Sequence, residues 1–288
     1  MNGFYNVIKP IGWSSSDLVI KIRGILRKRT GQKVKVGHLG TLDPLATGVL
    51  GVAVGSATKL FDYFLHKTKT YIATCVLGKQ TDTLDEGGDV IAQCDVPQIS
   101  DEEIAKVLSS FQGEIEQVPP MYSAKSIAGV RAYKLAKKGV EMALKPCKVT
   151  IYRCEMIERV SETTFRFVVE CSGGTYIRSL CRDIGKALDL PAYMSALTRT
   201  QNGVMTIENV TTIMDIEEDI NSGFFSLERF GESLKTLDFS DDLKKKIDNG
   251  VKLEVEEEDG LYNVKIGGDF YAIGSVKDGI MEIVARDR

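Results

Sequence analysis

The chain has 288 residues, 43% hydrophobic and 27% charged, the make-up of a folded protein with one large domain or a medium domain plus a small one. No apolar run reaches the roughly 20 residues of a membrane helix, and Met1 to Tyr5 lack the basic and apolar blocks of a secretory signal, so a cytoplasmic protein is expected. Six cysteines without a Cys-x-x-Cys pair, and only two histidines, His38 and His66, argue against a zinc site and against a disulfide framework.

In chain order, Ser14, Ser15, Ser16 and Asp17 offer N-caps to a helix whose Leu18, Val19, Ile22, Ile25 and Leu26 recur at helical spacing. The apolar stretch Val49–Val54 reads as a buried strand, Ser56–Leu65 as a short helix and Lys69–Leu77 as an alternating strand. Acidic, turn-rich residues 81–88 read as a loop. A capping box at Ser100–Glu103 precedes Ile104, Val107, Leu108 and Phe111. Gly129–Lys138 looks helical and basic. Val149–Val160 and Thr163–Cys171 form two long strands about a turn at Ser161 and Glu162. Gly173 and Gly174 break the chain before a helix over Tyr176–Leu188, and Met194–Met205 reads as strand. From about residue 235 the pattern changes to a short helix, Asp241–Asn249, and four short strands: Val251–Val255, Leu261–Ile266, Phe270–Val276 and Met281–Ala285. A larger unit over 1–234 and a small β domain over 235–288 are expected.

The net charge of −3 argues by itself against a nucleic-acid partner, but the charges are segregated. Lys21, Arg23, Arg27, Lys28, Arg29, Lys33 and Lys35 occur with no acid among them. Residues 124–153 carry eight basic residues against Glu141 alone, and acids gather at 82–103, 215–219 and 254–259. Such runs suit a polyanion partner or, equally, solvated helix faces.

The most informative segment is Gly37-His38-Leu39-Gly40-Thr41-Leu42-Asp43-Pro44-Leu45-Ala46-Thr47-Gly48-Val49-Leu50. Asp43 is the only acid between positions 18 and 61. Two readings fit it: Asp43 opens a turn or caps a helix at Leu45, or it faces a cleft from the loop before a buried strand. A phosphate-binding loop is disfavoured, because neither the Walker pattern nor Gly-x-Gly-x-x-Gly is present.

This segment and four others resemble the bacterial tRNA pseudouridine-55 synthases. The others are Lys69-Thr70-Tyr71 with Leu77-Gly78 and Thr81-Asp82-Thr83; Pro119-Pro120-Met121-Tyr122-Ser123-Ala124 with Gly129-Val130-Arg131-Ala132-Tyr133; Gly174-Thr175-Tyr176-Ile177-Arg178-Ser179-Leu180; and Leu197-Thr198-Arg199-Thr200. The resemblance is strong over about 3–205 and loose beyond. Leu39 departs from the family's usual Thr, and Leu-Thr-Arg-Thr from the commoner Leu-Arg-Arg-Thr.

The resemblance implies an α+β catalytic domain around a mixed, largely antiparallel sheet, and a small C-terminal β domain that is PUA-like and RNA-binding. It implies isomerisation of uridine-55 in the tRNA T stem-loop, with base flipping and without a cofactor or metal. Asp43 is then the catalytic nucleophile. Arg178 holds it ionised through two hydrogen bonds. Tyr71, also catalytic, stacks on the base and helps move the C5 proton, Tyr176 and Leu197 close the base pocket, and His38 fills the gap left by the flipped base. No membrane and no obligatory protein partner are expected. A tRNA-binding folding chaperone is the competing reading, and it would need the surface but not Asp43. A guide-RNA-dependent synthase ranks lower, since no additional basic tail is present.

Overall fold

Lys69–Leu77 places Lys69, Tyr71, Ala73, Cys75 and Leu77 inside and its other residues outward, the period-two burial of a half-covered strand. Ala46–Val54 is buried almost throughout because both its faces are covered. Leu50, Val52 and Val54 join the cluster that includes Leu18, Ile22 and Ile184, whereas Val49 and Ala53 join Phe4, Phe64 and Phe230. A strand between two cores reads as a continuous apolar run.

The computed structural model describes residues 1–122 and 144–287, and the backbone of 126–127 and 130–131. Its main sheet has ten strands, and eight of them follow one path. In spatial order they are Phe224–Ser226, Gly3–Lys9, Ala46–Val54, Ala192–Asn202, Lys69–Leu77, Thr164–Cys171, Cys147–Ser161 and Gly113–Gln117. Val36–His38 pairs with Ala46–Val54, and Met205–Thr206 with Ala192–Asn202. Among the described residues, the pair of Ala46–Val54 with Ala192–Asn202 is the one parallel strand pair of this sheet. The expected mixed, largely antiparallel α+β architecture is therefore present. Helices Ser15–Thr30 and Ile177–Ala187 feed the first of the two apolar clusters. A second, five-stranded sheet is built from Lys235–Phe239, Gly260–Ile266, Asp269–Lys277, Ile280–Ala285 and Leu253–Glu254. Its Ile273 and Ala285 pack with Phe4 and Phe230 of the main body. Among the described residues no helix is long and apolar enough to cross a membrane.

Several elements differ from expectation. Gly3–Lys9 is a strand that the sequence reading passed over, because burial of both faces erases its alternation. Val90–Gln93 also escaped, because all its residues are exposed; it pairs with Lys79–Thr81 across the acidic turn. Ser56–Leu65 divides into a 3-10 turn, Gly55–Leu60, and an α-helix, Phe61–Leu65. Of the expected Val251–Val255 strand only Leu253–Glu254 forms, while Lys235–Phe239 adds an unforeseen parallel strand beside Gly260–Ile266. Where Gly129–Lys138 was expected to be helical, Val130–Arg131 instead pairs antiparallel with Ser126–Ile127. The remainder of that segment lies outside the described residues.

The parallel pair imposes a local requirement at Gly48, which faces Arg199 in register with φ of 101°. A Cβ there would lie 2.2 Å from the Arg199 carbonyl oxygen. Gly48→Ala is therefore expected to lower the thermal unfolding midpoint by several degrees, through strain and displacement of the strand. A Gly48→Ala protein with the wild-type midpoint would contradict this register.

Candidate active site

The Asp43 loop is held from three directions by buried polar side chains. Arg199 reaches from Ala192–Asn202 and donates to the carbonyls of Val49 at 2.8 Å, Gly40 at 3.1 Å and Thr41 at 3.4 Å. Ser15, at the start of its helix, grips both backbone groups of Leu42, accepting from the N–H at 2.8 Å and donating to the carbonyl at 3.0 Å. Ser14 is the actual N-cap, which leaves Ser15 free for this contact. Lys9 donates to the carbonyls of Pro10, Trp13 and Pro44, and the Gly12 N–H also meets the Pro44 carbonyl at 2.8 Å. The residues on both sides of Asp43 are thus pinned.

Asp43 starts no helix. Its carbonyl accepts from the Ala46 N–H at 3.0 Å, which closes a turn into the strand. Its carboxylate faces Arg178 Nε, 2.9 Å from Oδ2. Arg178 comes from the first turn of Ile177–Ala187, whose apolar face buries Leu180, Cys181 and Ile184. The helix is tied down by the Gln117 side chain, which accepts from the Tyr176 N–H at 2.8 Å, and by Ser179, which donates to the Val118 carbonyl at 2.9 Å.

The expected two-bond fork between Arg178 and Asp43 is not what the structure contains. One guanidinium nitrogen serves Asp43, and the other two are engaged elsewhere. Nη1 lies 3.3 Å from Asp85 Oδ2 and 3.0 Å from the Thr83 carbonyl, and Nη2 lies 2.9 Å from the Tyr122 carbonyl. A guanidinium only 6% exposed needs all these acceptors to offset the loss of water. Asp85 is itself fixed, accepting from the Thr83 hydroxyl at 2.6 Å and the Gly87 N–H at 3.1 Å. Asp43 keeps 37% of its side chain open to solvent along the cleft. Desolvation by the surrounding walls pushes its carboxyl above the ordinary range, Arg178 pulls it back, and Asp85 adds repulsion.

A cleft of about 720 Å³ opens over this pair. His38, Asp43, Tyr71, Tyr176, Arg178 and Leu197, all singled out from the sequence, line it together. Tyr71 is buried on the inward face of its strand; burial pushes its hydroxyl above the usual range, and the nearby Arg199 cation draws it partly back. Leu197 sits in register with Ala46 on the parallel strand, and Tyr176 stands at the N-cap of the Arg178 helix. The carboxylate and two tyrosines share a cleft whose lining mixes apolar side chains such as Leu42, Phe61 and Leu197 with polar ones such as Thr41, Lys69 and Arg199.

A family model for the N-terminal domain of TruB family pseudouridylate synthases matches residues 27–177. The chain is 42% identical over 254 residues to the tRNA pseudouridine synthase B of Clostridium perfringens (strain 13 / Type A), covering 88% of this chain and 85% of that protein. The chain belongs to the TruB pseudouridylate synthase family. The tRNA pseudouridine synthase B of Clostridium kluyveri is 40% identical and spans 96% of both proteins. Among solved structures, a chain of an H/ACA RNP bound to a substrate RNA containing 2′-deoxyuridine superposes with a TM-score of 0.68 at 25% identity, covering 99% of this chain and 84% of that one. A model for the tRNA pseudouridylate synthase B C-terminal domain matches 178–223. In this TruB-family chain that segment is woven into the main sheet, since Ala192–Asn202 lies between Ala46–Val54 and Lys69–Leu77.

Four polar residues of the site escaped the sequence reading. Asp85 sat within what read as a plain acidic turn. Lys9, Lys69 and Arg199 are buried basic residues at strand positions that face inward. Strand parity was the available signal, because Lys69 shares a face with Tyr71 and Arg199 with Leu197. Lys69 donates to the carbonyls of Phe64, Leu65 and Lys67, and burial lowers both its pKa and that of Lys9 to about 8. Leu39, the departure from the family pattern, is buried beside Phe4 and Val49, so it affects core packing and not the cleft.

The basic run of the first helix is partly neutralised. Lys21 pairs with Glu217, and Arg29 donates to the carbonyls of Glu217 and Glu218. Arg23, Arg27, Lys28, Lys33 and Lys35 remain exposed. In the second basic run, Lys148 pairs with Glu114 and Arg153 with Glu155, while most of 124–143 lies outside the described residues.

Arg178→Lys keeps one cation beside Asp43 but loses the planar fan of donors. Amide hydrogen exchange at 82–86 and 121–122 is expected to speed up, with the central sheet strands unchanged. Unaltered exchange at 82–86 and 121–122 would show that Arg178 does not organise them.

Proposed function

We propose that this chain isomerises uridine-55 in the T stem-loop of tRNA to pseudouridine, with Asp43 as the nucleophile and the target base flipped into the cleft. The coarse activity, conversion of uridine to pseudouridine in tRNA, follows from membership of the family. The observation that carries the finer reading is the convergence of Asp43, Arg178 and Tyr71 in one cleft. The higher identity to a tRNA pseudouridine synthase B (42%) than to the H/ACA chain (25%) favours a synthase that acts without a guide RNA.

The reaction breaks the N1–C1′ bond, turns the base and joins C5 to C1′. The proton lost from C5 is balanced by one gained at N1, so no atom is exchanged and no redox partner is required. The ionised Asp43 carboxylate starts it, by attack on C1′, by addition to C6 or by removal of a sugar proton. Arg178 holds the anion in the partly dry cleft. Tyr71 stays protonated at neutral pH, given its raised pKa, and forms a stacking wall under the base. Leu197 and Tyr176 close the sides, and His38 fills the space the base vacates. Flipping itself costs a few kcal/mol, offset by these contacts.

Phosphates of the T arm lie against exposed Arg23, Arg27 and Lys28. Residues 235–288 form a separate small β unit in this reading. Its loop at Glu254, Glu256, Glu257, Glu258 and Asp259 is acidic and contributes little to RNA binding.

Asp43→Asn keeps size and removes the charge. Pseudouridine mapping on an unmodified tRNA transcript is expected to find no product, with the tRNA Kd within about tenfold of wild type, roughly 1.4 kcal/mol. Product formed by Asp43→Asn would contradict the assignment and favour a chaperone that needs only the surface.

Replacing Arg23, Arg27 and Lys28 together by Ala is expected to weaken binding and flatten the slope of log K against log salt by about 2 to 3 units. The wild-type slope in this variant would mean that the helix is only a solvated face.

A further inference from the structure

Two apolar side chains at the cleft have no part in the chemistry above. Phe61 and Leu65 stand four residues apart on the helix Phe61–Leu65, so they share one face. Both line the cleft with Asp43 and Tyr71, and each remains 36% exposed. Of the helix's other rings, Phe64 is buried in the core against Phe4 and Phe230, and Tyr63 packs edge-on against Phe64 and Phe230.

This short helix is held as a rigid shelf. Buried Lys69 caps its C-terminus through the Phe64 and Leu65 carbonyls, at 2.9 and 2.6 Å. Gly173 passes so close that a Cβ would lie 2.0 Å from the Leu65 carbonyl oxygen. Phe64 stacks into the aromatic cluster below. An aromatic ring carried on a pinned helix, partly open to water and lining the cleft, is a surface on which a planar heterocycle stacks.

We propose that Phe61, backed by Leu65, is a second nucleobase subsite that stacks an unpaired base adjoining the target uridine in the RNA. The inference rests on the reading of the cleft as the uridine site. The inner wall formed by Tyr71 and Leu197 is occupied by the target, so the half-exposed shelf takes its neighbour. Lys67, which lies over the Tyr63 ring of the helix, supplies positive charge for the connecting phosphates. Unpaired bases splayed onto aromatic side chains are the usual way in which single-stranded RNA is held. The shelf would tie binding to a splayed loop and reject a continuous stack at the target.

The test is a coupling measurement with the full chain and a T-arm transcript. Phe61→Ala is expected to raise the Kd about tenfold, and Phe61→Tyr to restore binding to within about twofold. Transcripts abasic at the nucleotide 5′ or 3′ of the target should bind wild type more weakly. One of the two should erase the difference between wild type and Phe61→Ala. A wild-type Kd for Phe61→Ala, or a difference that persists with both abasic transcripts, would overturn the subsite. Asp43→Asn assayed in parallel separates the two claims. If it makes no product while Phe61→Ala binds as wild type, the shelf alone fails. If it still makes product, the reading of the cleft fails.

Discussion

The structure depends on keeping one carboxylate charged in a place that disfavours charge. Asp43 faces a cleft whose walls strip away much of its water, and the compensating cation is Arg178 at 2.9 Å. Burying that cation creates a second problem, met by Asp85 and by the carbonyls of Thr83 and Tyr122. Two acids and one guanidinium then balance within a single network. Such a network is sensitive to position, because removal of one partner leaves an uncompensated buried charge.

Position is supplied by the sheet. The loop bearing Asp43 enters Ala46–Val54, whose parallel neighbour carries Arg199 back under the same loop. Ser15 and Lys9 pin the residues before and after Asp43 from two further elements. The buried lysines do similar work: Lys9 organises the turn at Pro10, Trp13 and Pro44, and Lys69 caps the helix at the cleft rim. Three elements distant in sequence thus set the position of one side chain at the cleft.

Much of this was legible in the chain, for identifiable reasons. An isolated acid in a glycine-punctuated loop before an apolar run marked Asp43, and alternation in Lys69–Leu77 placed Tyr71 inward. What could not be read was partnership across the fold. Arg178 meets Thr83 across 95 residues, and nothing local announces that contact. The fork expected between Arg178 and Asp43 considered that pair in isolation, whereas the fold shares the guanidinium among four acceptors. Likewise the basic run at 21–35 looked free of acids in sequence, yet Glu217 and Glu218 reach it in space. Gly3–Lys9 and Val90–Gln93 failed for opposite reasons, one buried on both faces and one on neither.

The central claim is that Asp43 is a partly desolvated anion balanced by Arg178. Carboxyl carbon-13 NMR titration of Asp43, in wild type and in Arg178→Gln, tests it most directly. Desolvation should place the wild-type midpoint above the ordinary 3.8, and loss of the guanidinium should move it higher still. A wild-type midpoint at or below 3.8, unmoved in Arg178→Gln, would contradict the account.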